Sequence, residues 1–241
     1  LSATQRWFLQ KISAPAAWDV FSSSSTVAVA VVDNAVQTNH PDLSANMYTN
    51  TGEIAGNGID DDNNGFIDDV MGYDVGDDDN NANPLNTSFD HGTHCAGLVS
   101  ARTNNGTGIA SIGFSVRIIP VKSTSDASDP TAVDAGYAGV IYAVNAKARV
   151  ISCSWGGGGN SVTEQAVMNY AWSRNSIVVA AAGNDNVSTQ NYPGAYNNVY
   201  CVASTTSTDA KSSFSNYGTW VDISAPGSTI RSTLPGSGYG N

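Results

Sequence analysis

Two hydrophobic periods organise the chain. Continuous apolar runs at Thr26–Asp33, Arg117–Lys122, Val150–Ser154 and Ile177–Ala182 are rich in valine, isoleucine and alanine and show no polar alternation. Such runs suit strands buried on both faces. Between them, Thr131–Ala146 carries Val133, Tyr137, Val140, Ile141 and Val144 at helical spacing. His91–Ala101 and Val162–Arg174 read as further helices, and Ala14–Phe21 as a short one with Pro15 in its first turn. Ser22–Ser25 reads as a polar turn, and Val199–Ser204 and Trp220–Ser224 as the remaining strands. Alternating strands and helices predict an α/β fold, a mainly parallel sheet with helices on both faces. With no internal repeat or linker, residues 1–241 form one domain.

In such sheets ligands bind outside the carboxyl ends of the strands. Asp33, the Ser154–Gly157 segment and the Gly183–Asn184 pair all end predicted strands, and His91 opens a predicted helix. Fold logic gathers them on one edge. A neutral imidazole takes a proton from a hydroxyl near pH 7, and a buried carboxylate fixes its tautomer and stabilises the imidazolium. An asparagine amide can donate to a developing oxyanion. An acid, a base and an amide donor together suggest acyl-transfer chemistry.

Composition adds a second expectation. The formal net charge is −11, and no Lys or Arg occurs between Lys11 and Arg102. That argues against nucleic-acid or anionic-membrane partners. Residues 44–90 form a long Asn-, Asp- and Gly-rich segment of the kind that is functional or ion-bound. Within it, Asp60, Asp62 and Asn64 place oxygens at the first, third and fifth positions of an EF-hand-like loop. Gly65 is at the sixth and the Phe66 carbonyl at the seventh. Met71 stands where the closing Glu is expected, so Asp69 or Asp68 is the closing carboxylate. Cys95, Cys153 and Cys201, an odd number in apolar contexts, read as buried free thiols. There is no apolar run long enough to span a membrane and no leader pattern, so the chain reads as a soluble mature form.

The ordered motifs carry a family resemblance. Val31-Val32-Asp33, His40-Pro41-Asp42-Leu43, His91-Gly92-Thr93-His94-Cys95-Ala96-Gly97, Thr103 to Ala110, Ser154-Trp155-Gly156-Gly157, Ala180 to Asn184, Ala225-Pro226-Gly227 and Ser232 to Gly236 match in order and spacing. The chain resembles a subtilisin-like serine protease of the subtilase superfamily, and Cys95 is most similar to the thermitase and proteinase K branches. The resemblance implies a three-layer subtilisin-like fold lacking its C-terminal part, and a secreted endopeptidase acting on extended polypeptides. A pro-domain is a further implied partner.

Residue by residue, it implies that Asp33 orients His91, His91 is general base then acid, and Asn184 donates to the oxyanion. Ser154, Trp155 and Gly156 would pair with the substrate strand, Ser123 and Ser125 would flank its other side, and Asp185 would sit at the rim of the main specificity pocket with a mild preference for basic residues. Asp74, Asp77 and Asp79 resemble a second calcium loop. A third calcium site is implied at Asp42, Asn105 and the carbonyls of Arg102, Thr107 and Ile109, with Gln5 as an N-terminal ligand. Two or three Ca²⁺ ions are therefore expected.

Two departures stand out. Asn34 and Ala35 follow Asp33 where the family has Ser or Thr and then Gly, and the Asn34 amide is expected to donate to the carboxylate. The family's nucleophile lies in a Gly-Thr-Ser segment a few residues beyond the match at Tyr239-Gly240, whereas this chain ends at Asn241. Ser237 precedes that match in a turn and is not the nucleophile. The triad serine is thus expected beyond Asn241, and a polypeptide ending there is expected to be inactive. The alternative is an inactive homologue acting as a calcium-dependent binding module. A metal site at His91 and His94 is disfavoured, because the zinc-protease helix pattern needs another spacing and an intervening Glu.

Overall fold

The structure, a computed structural model, describes residues 6–22 and 25–241. Seven strands form one parallel sheet in the order β2-β3-β1-β4-β5-β6-β7. They are β1 (Ala28–Asp33), β2 (Tyr73–Asp74), β3 (Arg117–Lys122), β4 (Val150–Cys153), β5 (Ile177–Ala181), β6 (Val199–Thr205) and β7 (Ile223–Pro226). A hairpin of β8 (Ser232–Leu234) and β9 (Gly238–Gly240) follows. Among the described residues five α-helices accompany them: α1 (Trp7–Lys11), α2 (Ala14–Val20), α3 (His91–Ser100), α4 (Gly136–Asn145) and α5 (Val162–Ser173).

Every residue of β1 is buried, which explains its unbroken apolar run. Ala28, Ala30 and Val32 join Val140, Tyr142 and Val144 of α4 and Met168 and Ala171 of α5 in the larger core. Val31 points the other way, onto Ala96 of α3 and Ile118 of β3. Successive side chains alternate faces, so α4 and α5 cover one face and α3 the other. This is the three-layer arrangement expected from the sequence.

That second face is only partly covered. Ile177, Tyr200 and Ile223 are exposed, and Val179 and Val202 are half-buried. Their neighbours Val178, Ala180 and Val199 are buried in the α4–α5 core, so the exposed set shares α3's side of the sheet. Over β5, β6 and β7 this apolar face lies open.

Two predicted starts moved furthest. The helix expected from Thr131 begins at Gly136, because Asp129 accepts both the Thr131 N–H (2.8 Å) and the Thr131 hydroxyl (2.7 Å) in a local turn. The strand expected at Trp220–Ser224 begins at Ile223, since the Val221 N–H turns back to the Gly218 carbonyl. The short strand β2 and the β8–β9 hairpin were not predicted. The hairpin docks on α3 through Thr233 Oγ1 to the Thr93 carbonyl (2.7 Å) and Ser232 Oγ to the His94 carbonyl (2.7 Å). The Ser22–Ser25 turn lies partly outside the described residues.

Candidate active site

The carboxyl end of β1 and the first residue of α3 meet. His91 Nδ1 lies 2.8 Å from Asp33 Oδ1 and 3.0 Å from Asp33 Oδ2. Asp33 is buried while the His91 side chain is about half exposed, so the ring keeps access to the groove. The Asn34 backbone N–H, not its side-chain amide, donates to Asp33 Oδ1 (2.8 Å). The Asn34 side chain instead accepts from Gly92 N–H (2.9 Å) and Ala35 N–H (2.8 Å) and donates to the Pro130 carbonyl (2.8 Å). It therefore ties the end of β1 to the start of α3, correcting the expectation that its amide serves the carboxylate. Gly92 is required here. A Cβ would collide with the Ala35 carbonyl and come within 2.8 Å of Asp33 Cβ.

The imidazole pKa is raised. The first cause is Cys95, one helical turn on, with Sγ 3.9 Å from Nδ1. The hydrogen bond to Asp33 adds to it, and burial opposes both.

A groove of about 740 Å³ runs past this pair. Its lining includes Asp33, His91, Ser154, Trp155, Asn184 and Asp185, so six residues singled out from separate stretches of sequence share one cleft. Gly156 lines it too. Trp155 is fixed by its indole N–H to the Val32 carbonyl (2.9 Å). Asn184 is exposed, on a turn built by Gly183 with φ of 101°. Buried Asn216 holds that turn. Its amide donates to the Ala182 carbonyl (3.0 Å) and its oxygen accepts from Asp185 N–H (2.9 Å) and Val187 N–H (3.2 Å). No motif flagged Asn216, because its role exists only once β5 and the segment before β7 are side by side.

The structure matches these elements to known proteins. The model of the subtilase family matches residues 24–241. This chain belongs to the subtilase family. It is 44% identical to thermitase of Thermoactinomyces vulgaris over 95% of its own length and 73% of that protein's. It is 40% identical to the thermophilic serine proteinase of Bacillus sp. (strain AK1) over 92% of this chain and 49% of the relative. The extracellular protease of Xanthomonas campestris pv. campestris is 42% identical over 90% of this chain and 40% of its own length. The crystal structure of the psychrophilic subtilisin-like protease Apa1 from Pseudoalteromonas sp. AS-11 superposes with a TM-score of 0.73 at 26% identity. That match covers 95% of this chain and 47% of the other. The chain therefore spans about half or less of several of the subtilases it matches.

Two substrate residues expected of a subtilase lie elsewhere. Ser123 is fully buried, and it is its backbone N–H that serves the site, donating to the Asp33 carbonyl (2.8 Å). Ser125 Oγ donates to Asp77 (2.6 Å). Pro130 to Val133 also line the groove, the segment that the Asp129 turn withholds from α4. Ser237 sits at φ 65° in the β8–β9 turn and does not line the groove. His94 Nε2 meets the Ile230 carbonyl at 3.1 Å, the packing role expected of it. Cys95 is half-buried, and Cys153 and Cys201 are buried, all three free.

Three acidic regions were read as cation sites, and they fare differently. In the first, Asp60 and Asp62 come together with Glu53, their ligand oxygens within 4.8 Å of one another. Glu53 was missed because it precedes the loop rather than closing it. Asn64 donates to Asp69 (3.1 Å), which also accepts from Asn50 (2.8 Å). Phe66 packs edge-on against Tyr73 and Tyr142. Asp68 is turned aside onto the Asn57 and Gly58 N–H groups. Burial raises the Asp69 pKa, so this side chain gains from a nearby positive charge.

In the second, the chain supplies the cation itself. Buried Lys122 places Nζ 2.5 Å from Asp74, 2.6 Å from Asp126 and 3.4 Å from Asp77. Asp79 faces away, accepting from Asn81 N–H (2.8 Å). Of the expected calcium loop at Asp74, Asp77 and Asp79, the first two come together with Asp126. An ammonium occupies the place a metal would take, and Asp126 rather than Asp79 completes the set. Burial disfavours this ammonium, but the Asp126 and Asp74 carboxylates outweigh it and raise the Lys122 pKa.

In the third, buried Asp42 accepts from Asn105 Nδ2 (2.6 Å) and Ile109 N–H (2.9 Å), and its carbonyl accepts from Arg102 N–H (2.7 Å). Thr107 N–H is bound by Asn105 Oδ1 (3.0 Å). The loop 102–109 thus wraps Asp42. Gln5 lies outside the described residues.

Proposed function

We propose that this chain is the Asp33–His91 portion of a calcium-stabilised, secreted serine endopeptidase. Its nucleophile is a serine following Asn241 in the full-length protein. The observation that carries this reading is the two-point contact between His91 Nδ1 and the Asp33 carboxylate at the edge of a groove that also holds Asn184. With Nδ1 committed to Asp33, Nε2 is the atom that exchanges protons. It takes the serine proton as the hydroxyl oxygen bonds to the scissile carbonyl carbon. The carbonyl oxygen becomes an oxyanion, to which the Asn184 amide donates. His91 then returns the proton to the leaving amine as the C–N bond breaks. Water repeats the cycle, giving its proton to His91, and release of the acid regenerates the serine.

The open apolar face over β5–β7 supports a further element on α3's side of the sheet. An element there would lie next to the helix that carries His91. Ser154 to Gly156, exposed along one wall, suit an extended polypeptide added as a strand. Relatives described as an extracellular protease and as subtilisins support secretion.

For calcium, the donors fit. Asp60, Asp62 and Glu53 offer only oxygen ligands at mutual distances a single hard cation can bridge, with Asn64, Asp69 and the Phe66 carbonyl in the same loop. Asp42 and Asn105, with the carbonyls of Arg102, Thr107 and Ile109, are the second set proposed. When bound, calcium neutralises these carboxylates and holds the loops around them. It takes no part in the acyl transfer.

A fluorophosphonate label on the full-length protein tests the reading. Expected is one labelled serine after residue 241, with labelling lost in His91→Ala. A folded protein that takes no label overturns it in favour of a calcium-dependent binding module.

A further inference from the structure

We infer that Glu164 selects a cationic side chain, lysine or arginine, at a substrate position distinct from the one beside Asp185. This rests on the endopeptidase reading above. Glu164 lies in the first turn of α5 and lines the same groove as His91 and Trp155. Its carboxylate accepts from the Tyr196 hydroxyl at 2.7 Å. That phenol holds it in position before any substrate arrives.

Helix capping does not account for this placement. Ser161 and Glu164 have the spacing of a capping box, and Ser161 Oγ accepts from Glu164 N–H at 3.4 Å. In such a box the Glu side chain turns back to the N-cap N–H. Here the Ser161 N–H is satisfied by the Tyr196 hydroxyl at 2.9 Å. The Glu164 carboxylate is released from capping and stays at the groove.

The walls beside it suit a long cationic side chain. Tyr137 and Trp155 pack edge-to-face at 5.3 Å, and the indole is locked by the Val32 carbonyl. Lysine and arginine lay their aliphatic stems on such surfaces and extend the charge beyond. The charge inventory points the same way. Asp33, Asp90, Glu164 and Asp185 line the groove, no lysine or arginine does, and His91 faces Asp33. Nothing on the groove wall offsets Glu164, so a cation on the substrate does.

The test is kcat/KM of the full-length protein on peptides with arginine, lysine, norleucine or glutamate scanned through each position. Glu164→Gln can still accept from the Tyr196 hydroxyl while losing the charge. Expected is about a tenfold preference for arginine and lysine over norleucine at one position. It should vanish in Glu164→Gln, persist in Asp185→Asn and weaken in high salt. Retention of the preference in Glu164→Gln, its loss in Asp185→Asn, or its absence from the wild type overturns the inference. Failure of the wild type to cleave any peptide instead overturns the endopeptidase reading. Binding of the same peptides then decides about Glu164: tighter arginine binding to wild type than to Glu164→Gln supports it, and equal binding overturns it.

Discussion

Lys122 Nζ lies 2.5 Å from Asp74 Oδ2, and both side chains are buried. The pair joins β2 to β3 at the end of the sheet where the site forms, and Asp126 and Asp77 complete the cage. Removing one partner of a buried pair strands the other charge. Lys122→Met is therefore expected to lose about 3 kcal/mol of stability by urea denaturation. Part of that loss should return on adding millimolar Ca²⁺, because the three carboxylates would then lack their resident cation. A variant that unfolds at the wild-type midpoint would show that the cage contributes nothing.

The contact between Asp33 and His91 has a pH signature. The folded-state pKa of His91 is raised above its ordinary value of 6.5. Stability from the protonated form is complete below the unfolded value and is lost as pH rises through the higher folded one. Activity requires the neutral ring, so the acidic limb of the rate profile should lie above pH 6.5. Asp33→Asn should lower the His91 pKa, read from ring ¹⁵N shifts. It should also cut kcat by about 10⁴, the size of the corresponding loss in trypsin, the reference case for this substitution. An unchanged titration would remove Asp33 from its orienting role.

Chelation separates the two oxygen cages from the lysine cage. Binding at a thousand times Kd stabilises by about 4 kcal/mol, which for a chain of this size shifts Tm by roughly 10 °C. Excess EDTA should lower Tm by that order, and Glu53→Gln should reduce the response. Superimposable melting curves with and without chelator would count against structural calcium.

Asn216 is expected to act on catalysis through the Asn184 turn it holds. Asn216→Ala leaves the Asp185 and Val187 N–H groups without their acceptor. The expected cost is about 2 kcal/mol of stability. A loss in kcat larger than the change in KM is also expected, since the oxyanion donor is displaced rather than the substrate groove. Equal effects on both parameters would mean a structural role only.

Much of this architecture was legible in the chain. β3 runs over the predicted residues, and α3 and α5 end one residue short of theirs. β1, β4 and β5 were found because each is a nearly unbroken apolar run; β1 is buried on both faces, whereas one apolar face of β5 lies open. Asp33, His91 and Asn184 were legible because each ends or opens such an element. Less visible were the groove lining at Pro130–Val133, the approach of Glu53 to Asp60 and Asp62, and the Asn216 brace. Each depends on a contact between segments far apart or on a turn that competes with a helix.

The sequence by itself determined the parallel α/β sheet, the family and the acid–base pair, since periodicity and element ends encode them locally. Only the tertiary structure decided how the charges are balanced. Two acidic clusters look alike in the chain, yet one gathers Glu53 with Asp60 and Asp62, and the other is filled by Lys122, 48 residues from Asp74. Coulomb energy depends on distance in space and on burial, and neither can be read from position along the chain.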